Sequence, residues 1–398
     1  MEPPRFRPLG RAMEPDGRIG VLHVISGLGL GGAERMLLWS ARYHDRSLVR
    51  MGVVSLMSGG EIAGEIRRED VQVYELGQGR GRLSVSSFSK LMEIIREFKP
   101  HILQGHMYHS NLLVRIAGAL KFRTAVLSTR HIDIAPPFRR FMNAATGVLN
   151  DGTLVFSPKV FNEEKRENLF RRPVQLVQYG IEIPDRPVMD KEPGKTSATG
   201  GRNGLREELN IPADAFVWTA VGRLTEQKGF TFLLDAFSKV LKAGDDPFLL
   251  IIGDGEDRRA LEDRARQLEI DHRVIFCGFR TDAADFLGIS DAFVLSSLWE
   301  GGPLVVLEAM AAGLPVVSTR VGDAPCMVEE GKTGVLVDPG DAGQLADAMS
   351  LVQGMGSGMR DWGKDGRRRV KDLYDFRRTQ REMETYYQKL AGVGPAVQ

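Results

Sequence analysis

The chain has 398 residues, more than one hydrophobic core usually serves, which implies two domains of roughly 150–200 residues each. With 42% hydrophobic and 26% charged residues and a net charge of +1, it reads as an ordinary globular protein, and disordered and collagen-like classes are excluded. Cys277 and Cys326, without ligand spacing, support neither a disulfide framework nor a zinc site and point to a reducing cytosol, while no apolar run nears the roughly 20 residues that span a bilayer.

Met1 to Gly17 carries prolines, arginines and acids without an apolar segment, and reads as a mobile tail rather than a secretory signal. Ile19 to Ile25 predicts a strand, followed by a glycine-rich loop and a helix over Ala33 to Tyr43. Strands follow at Val49 to Leu56, Val71 to Leu76, Ile102 to Gln104 and Ala125 to Ser128. Helices are expected over Ile62 to Glu69, over Ser87 to Phe98 and after Ser110. Such alternation implies parallel strands joined by helical crossovers. Between Pro184 and Pro212 the pattern gives way to Pro, Gly, Lys, Ser and Thr, the composition of a linker. It restarts with strands Phe216 to Val221, Phe248 to Ile252, Val274 to Cys277, Ala292 to Ser296 and Pro315 to Ser318, again separated by helices. The expected organisation is an N-terminal α/β domain over 18–183, a linker over 184–212, a second α/β domain over 213–373, and a helical end at 374–398 that packs back on the first domain.

Three segments carry chemistry. Gly27, Gly29, Gly31 and Gly32 lie between a strand and a helix, where glycines let a phosphate approach a helix N-terminus. The second strand ends in Ser58-Gly59-Gly60 with no acid to hold a ribose, which disfavours a nicotinamide site. Gly222-Arg223-Leu224-Thr225-Glu226-Gln227-Lys228-Gly229 leaves the next domain's first strand with two cations suited to a diphosphate. In Glu300-Gly301-Gly302-Pro303-Leu304-Val305-Val306-Leu307-Glu308, Pro303 fits a first helical turn, and Gly313 fits the C-terminal cap. The backbone N–H groups from Gly302 through Leu304 and Val305 can hold phosphate. Glu308, about 6–8 Å along the helix at ~1.5 Å per residue, can reach back to a ribose, with Glu300 on the sugar side. Arg80, Arg82, Lys121, Arg123, Arg139, Arg140, Arg171 and Arg172 cluster in the first half, either as a solvated surface or as an attraction to anionic lipid.

Glu300 and Glu308 eight positions apart, with Glu-x-x-Pro, Glu-Ala-Met-Ala-x-Gly, Arg223, Lys228, Gly31-Gly32-Ala33-Glu34 and Gly253-Asp254-Gly255, resemble retaining glycosyltransferase family 4, from about Ile19 to Leu390. The resemblance implies a GT-B fold, two Rossmann-like α/β domains facing each other across a cleft. It also implies transfer of a hexose or N-acetylhexosamine from a nucleoside-diphosphate sugar, a UDP-sugar ahead of a GDP-sugar, to a glycan or polyprenyl-linked glycan in surface polysaccharide synthesis. By resemblance Arg223 and Lys228 bind the donor phosphates, Glu300 the sugar hydroxyls and Glu308 the ribose, while Gly278, Phe279 and Arg280 face the base. Gly31, Gly32 and Gly222 line the donor. His131 follows a strand where the family places a histidine at the reacting sugar; His106 and His109 line the same side or support its loop. Neither a metal nor another cofactor is expected, since the basic pair replaces a divalent ion, and no nucleic-acid partner is expected. Cytoplasmic location, with peripheral attachment to an anionic membrane face, completes the reading. A nucleotide-sugar epimerase of the same fold and a non-catalytic sugar-nucleotide binder are the alternatives.

Overall fold

The computed structural model describes residues 16–78, 84–120, 124–131, 137–184 and 201–393. The expected tail up to residue 15, most of the expected linker, and Arg80, Arg82, Lys121 and Arg123 lie outside the described residues. The chain divides into two compact units, one comprising 1–182 with 376–398 and the other 183–375.

The first unit is built on seven strands, β1 (Ile19–Ile25), β2 (Val49–Ser55), β3 (Gln72–Glu75), β4 (Ile102–His106), β5 (Ala125–Arg130), β6 (Gly152–Val155) and β7 (Val174–Leu176). They form one parallel sheet in the order β3-β2-β1-β4-β5-β6-β7. Every residue of β1 is buried, as expected of a central parallel strand covered on both faces. Leu22 and Val24 pack with Val54, Leu103 and Val126 from neighbouring strands and with Leu91, Ile95 and Phe98 from the helix Val85–Phe98. The helix Phe376–Ala391 belongs to this unit: the Phe376 N–H donates to Ile181 O at 3.0 Å, and the buried Tyr387 hydroxyl donates to Gln104 Oε1 at 2.7 Å.

The second unit carries β8 (Val217–Val221), β9 (Phe248–Ile252), β10 (Val274–Gly278), β11 (Ala292–Leu295), β12 (Val316–Thr319) and β13 (Gly334–Val337), all parallel, in the order β10-β9-β8-β11-β12-β13. Alternate residues of β9 serve opposite faces, Leu249 and Ile251 joining one core cluster and Leu250 and Ile252 the other. The two sheets thus share one pattern. Their strand order reverses between β1 and β4, and between β8 and β11, and ligands of open α/β sheets bind outside the strands' carboxyl ends at such a point.

Two local differences from the sequence reading have physical causes. Residues 201–208, assigned by composition to a linker, form the helix Gly201–Glu208, held by the buried Arg206. Its guanidinium donates to the carbonyls of Ile289, Ala213 and Ala215 and to Asp291, contacts that composition does not announce. The helix expected after Ser110 starts at Met107, directly at the end of β4.

The helix Gly358–Leu373 crosses the helix Leu304–Ala312 at Gly363, where a Cβ would overlap the Gly313 carbonyl oxygen. Gly363→Ala is therefore expected to destabilise the second unit by about 1–3 kcal/mol through overpacking. Gly354→Ala, with nothing near the added methyl, is expected to be neutral or mildly stabilising in the same thermal unfolding series.

Candidate functional site

In the second unit, β8 runs out into Gly222 and a loop that turns through a short 3₁₀ segment, Glu226–Lys228, before Gly229 opens the helix Phe230–Lys242. This loop is pinned by its neighbours: Gly222 N–H donates to Ile252 O at 3.0 Å and Leu224 N–H to Asp254 O at 3.0 Å. Gly253, at φ 140, and Gly255 face the backbone carbonyls of Gly222 and Leu224 so closely that a Cβ on either would overlap them. The glycines after β9 are needed for this close approach of two loops.

Across the switch point, the buried Ser296 and Ser297 follow directly on β11. Ser296 Oγ donates to Lys228 O at 2.9 Å, Leu298 N–H donates to Gln227 O at 2.8 Å, and Gln227 Nε2 donates to Trp299 O at 3.0 Å. On this lattice of bonds Lys228 Nζ meets Glu300 Oε1 at 2.5 Å, and Ser297 Oγ donates to the same oxygen at 2.7 Å. The lysine stem lies along Gly222, where a Cβ would come within 3.3 Å of Lys228 Cδ. The Lys228 and Glu300 side chains are only 19% and 10% exposed, so the pair is largely withdrawn from water yet open on one side. Arg223 is exposed and takes no part in this group.

The helix Leu304–Ala312 follows, with Pro303 at the N-cap, one position outside the expected first turn, and Gly313 in the left-handed region at its end, as expected. The amides of Leu304 and Val306 donate to Gly302 O and Pro303 O, both at 2.9 Å, which turns part of the expected phosphate cradle inward. Val305 and Glu308 are half-buried on this helix. Gly301 is locked by Asp323, whose N–H donates to its carbonyl at 2.9 Å. Gly278, Phe279 and Arg280 lie at the end of β10, the edge strand. Gly278 O accepts from Gly253 N–H at 2.8 Å, Phe279 is exposed, and the Arg280 guanidinium is engaged by Asp282. Sequence reasoning had no signal for Ser297 beyond a pair of serines at a strand end.

In the first unit the carboxyl edge is built differently. Gly31 caps the helix Gly32–Tyr43, and the Glu34 carboxylate lies over it, filling the place where a Cβ would sit. That places an acid at the positive end of the helix, beside Gly31. His106, the last residue of β4, touches two other imidazoles: His23 of β1, Nδ1 to Nε2 at 3.0 Å, and His131 beyond β5, Nδ1 to Nε2 at 3.5 Å. His131 then stacks on Phe156 with ring centres 5.3 Å apart, and the Tyr179 hydroxyl donates to its carbonyl at 3.0 Å. Asn111 clamps the end of β5 by bonding both Thr129 N–H and Thr129 O. Gly105 leaves room for that asparagine, since a Cβ there would sit 2.7 Å from its Oδ1. Met107 takes φ 67, a conformation costing about 1–2 kcal/mol for a non-glycine residue, and so starts the helix at once behind His106. His109 is not brought to the cluster: it is exposed, edge-on to Tyr108. His23 was not singled out from sequence, although a lone histidine inside the apolar strand Ile19–Ile25 was the available signal.

Comparison with known proteins bears on both units. The family model described as Glycosyltransferase Family 4 matches residues 30–175, and that described as Glycosyl transferases group 1 matches residues 202–369. The lipopolysaccharide core biosynthesis glycosyltransferase LpsE of Rhizobium meliloti is 39% identical over 147 residues, which span 37% of this chain and 42% of LpsE, well short of that relative's full length. LpsD of the same organism, also a lipopolysaccharide core biosynthesis glycosyltransferase, is 27% identical over 84% of this chain and 88% of its own. The structure of Anabaena HepE in complex with UDP and glucose superposes with a TM-score of 0.78 over 94% of this chain and 100% of HepE. At 19% identity that likeness establishes the fold alone, a GT-B fold.

The histidine cluster predicts an acid sensitivity. Burial pushes His23 down to about 3 and His131 to about 4, and holds His106 well below its ordinary range, helped by its two neighbours. In the unfolded chain histidines titrate near 6.5, so between pH 6.5 and the folded values the unfolded state binds more protons, and stability rises with pH. Each such group costs up to ~1.4 kcal/mol per pH unit below about 6.5. The first unit's unfolding temperature is expected to fall from pH 6.5 to 5, above the range where carboxylates protonate. The slope should be shallower in His23→Leu; an unchanged slope would show that His23 does not titrate in this way.

Proposed function

Because the chain belongs to the group 1, family 4 glycosyltransferases, we propose that it moves a hexose or N-acetylhexosamine from a UDP-sugar to a glycan acceptor borne on lipid, in surface polysaccharide synthesis. The observation that carries this reading is the Lys228–Glu300 pair, braced by Ser297, at the carboxyl edge of β8 and β11. The names of LpsE and LpsD support a lipopolysaccharide core acceptor, and the UDP and glucose in the HepE complex support the donor. Lys228 and the exposed Arg223 meet the diphosphate, Glu300 takes sugar hydroxyls, and Glu308 takes the ribose. Gly278, Phe279 and Arg280 border the base, and Gly302 and Val305 supply the backbone beside the phosphates, for which Leu304 would have to release its bond to Gly302 O.

In the proposed reaction the bond from the anomeric carbon to the diphosphate oxygen breaks, and a bond to the acceptor oxygen forms on the same face. The departing diphosphate accepts the acceptor's proton. Lys228 and Arg223 stabilise the charge that grows on the leaving group, so the chemistry asks for no metal. His131 acts on the sugar side and His106 supports it.

Lys228 is held by Glu300 before any donor arrives, so an incoming diphosphate has to take the ammonium over from the carboxylate. Lys228→Met is expected to weaken UDP binding about 10- to 100-fold, the loss of a charge-assisted hydrogen bond. Glu300→Gln is expected to leave UDP binding unchanged or tighter, because the lysine is released, while removing the extra affinity of a UDP-sugar over UDP. Calorimetry with UDP, UDP-glucose and GDP-mannose checks both, and equal UDP affinity in Lys228→Met would overturn the assignment. Product analysis separates transfer from epimerisation, since an epimerase turns over the sugar nucleotide without an acceptor.

A second observation favours a membrane-facing acceptor side. In the first unit Phe138, Phe141 and Leu169 are 70%, 68% and 70% exposed and lie among Arg139, Arg140 and Arg171. The Arg172 guanidinium donates to Val148 O at 2.8 Å and Phe170 lies against Gly147, which joins the two exposed segments into one patch. No described helix is long and apolar enough to cross a membrane, so attachment would be peripheral. Flotation with vesicles containing anionic lipid is expected to carry the protein up at low salt, and Phe138→Ser with Phe141→Ser to abolish it. No flotation of the wild type at low salt would exclude this reading.

A further inference from the structure

We infer that Ser297 is a positioning residue: its hydroxyl keeps the Glu300 carboxylate aimed when a diphosphate takes Lys228 away, and so sets how tightly the donor sugar is held. This role deepens the sugar binding proposed for Glu300 and rests on that reading for its catalytic meaning.

An ionised carboxylate has about four lone-pair sites, two on each oxygen. In the free protein both sites of Glu300 Oε1 are taken, one by the Lys228 ammonium and one by the Ser297 hydroxyl at 2.7 Å. Oε2 meets only the Gln227 amide, at 3.5 Å, and that amide is already given to Trp299 O at 3.0 Å. Hand-over of Lys228 to a diphosphate therefore leaves the carboxylate with one close donor among the described residues, Ser297. The Glu300 side chain is 10% exposed, and a charge so far withdrawn from water is costly without a hydrogen bond. Without Ser297 the carboxylate would follow the ammonium or turn to solvent. With it, Oε1 stays anchored and the remaining lone pairs are left for sugar hydroxyls, which replace the ammonium as donors.

The anchor belongs to the sheet. Ser297 is fully buried, and its carbonyl accepts from Thr319 Oγ1 at 2.7 Å, a buried hydroxyl on the last residue of β12. The two adjacent serines divide the contacts: Ser296 Oγ donates to the backbone of Lys228 and Ser297 Oγ to the side chain of Glu300. A serine hydroxyl is placed by one carbon–carbon torsion, whereas the lysine ammonium rides on a flexible four-carbon stem. The stiff contact stays and the flexible one exchanges.

Calorimetry with UDP and UDP-glucose tests this. Ser297→Ala is expected to leave UDP affinity within about 3-fold of wild type, because Lys228 remains, and to cut the extra affinity of UDP-glucose over UDP about 10-fold, the loss of a hydrogen bond to a charged group. Thr319→Val keeps the shape and frees the Ser297 carbonyl, and is expected to cut the same ratio about 3-fold. Equal weakening of both ligands by Ser297→Ala would mark a merely structural residue and overturn the inference, as would an unchanged ratio. A second arm needs no ligand. Ser297→Ala is expected to lower the second unit's Tm by about 2–4 °C when Glu300 is present, and not at all in a Glu300→Ala background, where it removes a buried hydroxyl that has lost its acceptor. The same fall in both backgrounds overturns the inference. If Ser297→Ala does not fold, the ratio in Thr319→Val decides. A wild-type protein that binds neither nucleotide would sink the proposed function, while the unfolding cycle would still show whether Ser297 holds the carboxylate.

Discussion

The reversal of strand order between β8 and β11 leaves two loops side by side at the carboxyl edge of the second sheet, and the Lys228–Glu300 pair joins them. Loops in this position run without a ladder to fix them, so their placement depends on contacts made after the strands end. Here those contacts are dense: backbone bonds from Leu298 to Gln227 and from Ser296 to Lys228 set the two chains in register before the charged groups meet. A largely buried ion pair adds little net stability, because desolvation offsets most of the Coulomb attraction. The backbone holds the loops and the pair is left available, which suits the anion exchange proposed for it.

Backbone close approach makes that arrangement stiff. Gly253 and Gly255 bring the loop after β9 against the loop after β8, and Gly322, at φ 51, brings the chain after β12 against Gly301. Side chains at these positions would force the loops apart, and the ammonium and carboxylate would no longer meet. The glycines therefore act through the geometry of Lys228 and Glu300.

Much of this was legible in the sequence because it rests on local signals. Strand periodicity located β8, β9 and β11, and Pro303 and Gly313 framed the helix that carries Glu308. The spacing of Glu300 from Glu308 identified the segment. What escaped has a common cause: it depends on partners far apart in the chain. Ser297 matters through the carboxylate it braces, Arg206 through carbonyls more than eighty residues away as well as nearby ones, and His23 through His106, 83 positions on. The helix Gly201–Glu208 was hidden for the same reason, since its own composition resembles a linker and one buried arginine anchors it.

The two carboxyl edges differ electrostatically: the second unit's carries an ion pair, the first unit's a row of imidazoles. A departing diphosphate gains negative charge, and fixed cations lower its energy most when they are held in place beforehand. In the proposed reaction Lys228, already held by Glu300, would meet that need. A sugar losing its leaving group gains positive charge at the anomeric carbon, and an imidazolium beside it would raise the barrier. Desolvation holds the buried His23 and His106 and the partly exposed His131 of the first unit uncharged, so a group assigned to the sugar can supply a hydrogen bond without supplying a charge. Burial would ordinarily count against polar residues in a sheet interior; pairing each imidazole with the next offsets that cost.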